Sequence, residues 1–126
     1  MAQGQYKKLL AKRVRKGHKG HPIATIAFYG PDNTSASKVV CCIIKNADAE
    51  AEPIQKWFTK TDARKSEKIL NEVTGFIERN NAKTVTMIDG IIGCPHEEGI
   101  DYPDGEYCPE CPFWINRDRF THELIN

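Results

Sequence analysis

The sequence predicts an α+β fold: an antiparallel β meander, one main helix and a fourth strand, ending in a cysteine-rich loop. Three observations carry this. Two apolar runs, PIATIAFYG and KVVCCIIKN, flank the turn-forming stretch GPDNTSAS, the pattern of paired strands. Ile69, Leu70, Val73, Phe76 and Ile77 then recur at helical spacing and give one apolar stripe. A further β-rich run, KTVTMIDGIIG, leads directly into Cys94.

Three regions follow in order. Residues 1–21 form a basic N-terminal helix or arm, in which Tyr6, Leu9, Leu10, Arg13 and Val14 keep helical spacing and Gly17 and Gly20 end the run. Residues 22–92 are the α+β body. Its third strand, PIQKWF, is expected to be shorter than the first two, with Trp57 in the core. Cys41 and Cys42 are adjacent on the second strand, where side chains alternate faces. They are therefore expected to be small buried hydrophobes rather than a chelating pair. Thr61 or Asp62 can cap a helix over 61–80, which Asn80-Asn81 would stop. Residues 93–126 are the metal-binding loop and tail, with Phe113 and Trp114 expected to pack the loop against the body.

The loop carries the chemistry. Cys94, His96, Cys108 and Cys111 lie in GCPHEEGIDYPDGEYCPECPFW, as C-x-H, an eleven-residue excursion, then C-x-x-C. Three thiols and one imidazole make a full tetrahedral set for Zn2+, the expected cofactor. In C-x-x-C the two intervening residues let the chain turn, so both sulfurs can meet one ion. Pro109 stiffens that turn. Pro95 favours an extended or turn conformation for its neighbours. Gly99, Pro103 and Gly105 mark the excursion as a loop.

Three resemblances accompany these residues. CPEC resembles the metal-binding knuckle of zinc ribbons and rubredoxin-like sites, with Pro112 where a glycine usually follows. His96-x-Glu98 followed by Cys108-x-x-Cys111 resembles the signature of zinc-dependent nucleobase deaminases. That resemblance implies His96, Cys108 and Cys111 as ligands and Glu98 as the acid/base on a metal-bound water. Cys94 then stands as a fourth donor, and four protein ligands close a site that a catalytic zinc keeps open. Three antiparallel strands, a helix and a further strand resemble, in topology alone, the first half of the ribonuclease H-like fold. The first strand offers no carboxylate to hold catalytic metals, so no nuclease chemistry is carried over.

Composition bounds the rest. The chain of 126 residues is 40% hydrophobic, enough for one small domain that a structural metal would reinforce. No run of about twenty apolar residues is present to span a membrane. Five cysteines, an odd number, with no visible secretory segment, point to a reducing, cytoplasmic setting. The net charge of +1 hides an asymmetry. Lys7, Lys8, Lys12, Arg13, Arg15, Lys16 and Lys19 crowd a head without acids. The rest carries eleven basic and seventeen acidic residues, six of the acids in the metal loop. Such a head suits a polyanion. The expected function is a zinc-binding accessory module that docks on nucleic acid or ribonucleoprotein through the head, or on a protein through the loop. The alternative is a hydrolase of deaminase type using Glu98.

Overall fold

The computed structural model describes residues 20–125, so the basic head expected at Lys7 to Lys19 lies outside the described residues. Four strands form one mixed sheet: β1 (Ile23–Tyr29), β2 (Lys38–Ile44), β3 (Ala51–Phe58) and β4 (Thr84–Ile91), in the order β3-β2-β1-β4. β1, β2 and β3 are the antiparallel meander the alternating runs predict. β4 lies parallel to β1, because helix α1 (Glu67–Arg79) supplies the crossover a parallel pair needs. The α+β class is thus observed. β3 begins at Ala51, earlier than its PIQKWF core, and at 8 residues it is longer than β1 and β2 (7 each) rather than shorter, because the pairing with β2 extends to Ala51.

The main helix starts later than its polar stretch suggests. Ser66, in an extended conformation, is the N-cap of α1 and accepts from the Ile69 N–H. Asp62 instead caps a separate 3-10 turn at Ala63–Lys65. Its carboxylate is buried and accepts from the Ala36 N–H (3.2 Å), the Arg64 N–H (3.1 Å) and the Arg64 guanidinium (2.8 Å). These bonds from Arg64 hold the Asp62 carboxyl down at about 2.

One face of the sheet carries the core. Ala24, Ile26 and Phe28 of β1, Val39, Cys41 and Ile43 of β2, and Trp57 of β3 bury against Ile69, Leu70, Val73, Phe76 and Ile77 of α1. Trp57 meets Phe76 edge-on, with centroids 6.0 Å apart. Cys41 is fully buried there, and burial raises its thiol to about 12. Cys42 faces the other way and is only half-buried, so the expectation of burial holds for Cys41 alone. The second face of the sheet is half-covered, with Ala27 and Lys38 buried, and opens at its β3 edge, where Ile54 and Phe58 are exposed.

The edge nearest the metal loop is built around Gly30. Its N–H donates to Gly93 O (2.8 Å), and Ile92 N–H donates to Phe28 O (2.9 Å). The β1–β4 pairing therefore runs on to the residue before Cys94. No side chain fits at Gly30, since a Cβ would sit 2.1 Å from the carbonyl oxygen of Ser35. A bulge in β4 at Ile88–Gly90, where Gly90 takes φ +74°, sets the strand's exit. Among the described residues no helix is long and apolar enough to cross a membrane.

Candidate metal centre

Two chain segments meet at the site. Cys94 is delivered by the end of β4, and His96 follows it across Pro95. Cys108 and Cys111 come from the C-x-x-C turn, closed by a hydrogen bond from Cys111 N–H to Cys108 O (3.3 Å). A 3-10 turn at Pro112–Trp114 follows at once.

Trp114 fastens this turn to the sheet. It is buried, and its indole Nε1–H donates to Gly30 O at 2.8 Å. Its ring packs edge-on against Phe113 (5.0 Å) and His122 (5.6 Å). His122 Nε2 in turn meets Ile91 O at 2.6 Å. Phe113 lies half-buried under the Arg117 guanidinium, 4.1 Å from its ring. Both aromatics therefore pack the loop on the body.

The ligand atoms of Cys94, His96, Cys108 and Cys111 lie within 4.8 Å of one another. His96 presents Nδ1 to all three sulfurs, at 3.3 Å from Cys94, 3.4 Å from Cys108 and 3.5 Å from Cys111. Bonds of zinc length to sulfur and imidazole, set tetrahedrally, place those atoms about 3.6 Å apart. The cluster is therefore at metal-binding spacing and can hold one ion. Cys108 and Cys111 are buried, and Cys94 and His96 are half-buried. Burial pushes the Cys94 and Cys111 thiols up. An ion that displaces their protons relieves the stacking of three thiols in a dry site.

The surrounding shell answers questions the sequence left open. With Nδ1 turned to the thiols, His96 Nε2 faces the Glu110 carboxylate at 3.1 Å. A carboxylate at the outer nitrogen of an imidazole fixes its ring orientation, as it does for histidines that hold metals. Glu110 sits inside the C-x-x-C turn, and sequence reasoning missed it, because spacing does not show which acid meets the far nitrogen. Glu98 points elsewhere: its Oε2 accepts from the Gly105 N–H at 2.7 Å and closes the excursion. Glu97 pairs with Lys56 at 2.9 Å. His96 N–H donates to Cys94 Sγ at 3.2 Å, a bond that steadies the C-x-H half.

Lys38 is the second residue missed. It opens β2 and is 4% exposed. Across the strands it stands between Tyr29 and Phe58, its register partners. Its ammonium lies 5.5 Å and 5.6 Å from their ring centroids and donates to Pro95 O at 3.0 Å. Burial pushes the ammonium down. The bond to Pro95 ties the C-x-H half to β2. No protein-family model, no curated protein and no solved structure matches the chain.

Proposed function

We propose that Cys94, His96, Cys108 and Cys111 bind one Zn2+ ion in a structural role, and that the protein is a binding or accessory module rather than an enzyme. The observation that carries this is the convergence of all four donor atoms within 4.8 Å of one another. Zinc supplies a cross-link between the end of β4 and the C-x-x-C turn. Three thiolates and one imidazole fill its coordination sphere and leave no place for a reacting water. Glu110 orients His96 from its outer nitrogen. Glu98, which the deaminase alternative needs beside the metal, is engaged by Gly105, so that alternative gains no support. Five cysteines, none of them in a disulfide, suit a reducing, cytoplasmic setting.

The partner in this reading is nucleic acid or ribonucleoprotein, met by Lys7, Lys8, Lys12, Arg13, Arg15, Lys16 and Lys19. What supports it is charge: the head is wholly basic and the rest of the chain is net acidic, so a polyanion is drawn to the head alone.

Two measurements test the proposal. Freshly reduced protein should carry about one zinc per chain, with Cys108→Ser and Cys111→Ser losing it. Zinc-free wild-type protein with an intact loop would overturn the metal assignment. Band-shift titrations at two salt concentrations should show binding that weakens steeply with salt. A chain lacking residues 1–19 should keep its zinc and lose that binding. Equal binding by both forms, or none by the full chain at low salt, would redirect the partner to a protein docking on the loop.

A further inference from the structure

A cleft of about 800 Å³ opens beside the metal centre, between the start of β2, the end of β3 and the C-x-H segment. Phe58, Pro31 and Pro95 give it apolar walls, and Lys38, Lys60 and Thr59 give it polar ones. Its size is that of a site for a small organic molecule.

Lys38 is the group in this cleft with unused capacity. An ammonium has three N–H donors. Lys38 makes one hydrogen bond, to Pro95 O, and rests between two aromatic rings. None of the ion pairs among the described residues includes it. A cation 4% exposed with one carbonyl partner has room for a direct anionic contact, because a buried charge is costly until it is closely paired. None of the three carboxylates that line the cleft bonds to Lys38, although the charges of Glu97 and Asp101 favour its ammonium from a distance. Glu97 is taken by Lys56 (2.9 Å), Glu110 by His96 (3.1 Å), and Asp101 accepts from the Glu97 N–H (2.7 Å).

We propose that the cleft binds a small organic carboxylate, its head group on the Lys38 ammonium and its apolar body against Phe58 and Pro95. The charge is the reason for a single negative charge. Lys38 and Lys60 face Glu97, Asp101 and Glu110 across the cleft, so a ligand with one negative charge on Lys38 is repelled less than a dianion such as phosphate. Phe58, exposed in the free protein, supplies a ring face that a flat apolar body would cover. The proposal stands apart from the zinc reading, although Pro95, His96 and Cys111 contribute part of the wall.

The test is an NMR titration of the labelled full chain with benzoate, acetate and inorganic phosphate, with metal content measured on each sample. Benzoate should shift the Lys38 ε-methylene signals and the Thr59 and Lys60 amides saturably. Acetate should bind more weakly, and phosphate most weakly. Lys38→Met should weaken benzoate by about ten- to hundredfold, the loss of one charge-assisted hydrogen bond. Phe58→Ala changes an exposed residue, so its fold and metal content should not move, and benzoate should bind about tenfold more weakly through lost apolar contact. Should Lys38→Met fail to fold, the Lys38 signals of the wild type and the Phe58→Ala affinity decide. The proposal is overturned by an unmoved Lys38 signal in metal-loaded protein at high benzoate. It is equally overturned by phosphate binding as tightly as benzoate, or by wild-type affinity in either folded variant.

Discussion

Replacing Trp114 should loosen the metal loop and weaken metal binding together. The indole is buried, and its one polar atom donates to Gly30 O at 2.8 Å. Trp114→Phe keeps an aromatic ring and removes the donor. Gly30 is itself buried, so its carbonyl is left without that partner, a loss of about 1–3 kcal/mol. Trp114→Ala also removes the ring from its contacts with Phe113 and His122. That adds a cavity term, and large-to-small changes of this kind cost about 3–5 kcal/mol. Metal binding and loop folding are linked, because the four donors converge only when the loop is folded. Where the metal-free loop is open, a penalty of about 2 kcal/mol on its closed form raises the apparent Kd for the metal about thirtyfold. Urea unfolding of metal-loaded protein reads the first effect, and competition with a colorimetric zinc chelator reads the second. Trp114→Phe should shift both, and Trp114→Ala should shift both further. Wild-type stability and chelator competition in Trp114→Ala would refute the idea that this indole fastens the loop to the sheet.

Two further outcomes follow from the same contacts. Glu110→Gln should lower metal affinity by about tenfold, at the low end for an outer-shell partner because Glu110 is exposed. Glu98→Gln should leave metal content unchanged, since its amide oxygen can still accept from Gly105; the same chelator competition distinguishes them. Acid should expose Asp62. Its folded pKa of about 2 lies below the ordinary aspartate value of 3.8, so the stability it contributes is full above pH 3.8 and is lost as pH falls toward about 2. The difference in unfolding free energy between wild type and Asp62→Asn should therefore shrink by about 2 kcal/mol across that window. The metal site titrates alike in both proteins and cancels. A difference that stays flat with pH would show that Asp62 does not hold its bonds to Ala36 and Arg64.

What the chain declared locally, it declared well. The stripe Ile69, Leu70, Val73, Phe76 and Ile77 is buried as its spacing requires, because helical periodicity acts within a few residues. The strand runs and the turn residues between them act over the same range. The ligand set Cys94, His96, Cys108 and Cys111 was legible from chemistry and spacing, and those atoms do converge. Boundaries were less so: Thr61 and Asp62 look like helix caps, yet Asp62 is drawn into a bond with Ala36, distant in sequence, and Ser66 caps the helix instead.

Only the tertiary structure decided what surrounds the ligands. Lys38 reads as an ordinary charged residue at the start of a strand. It is buried because register sets Tyr29 on one side and Phe58 on the other, and because Pro95 O reaches it from the loop. Glu97, Glu98 and Glu110 are interchangeable as letters. One pairs with Lys56, one closes the excursion at Gly105, and one reaches the outer nitrogen of His96. Gly30 and Trp114, far apart in sequence, share the bond that holds the metal loop to the sheet. Composition and periodicity report what a segment prefers with its near neighbours. The burial of a charge, the partner of a carboxylate and the depth of a cleft depend on contacts between distant segments, which exist only once the strands are in register and the loop is closed.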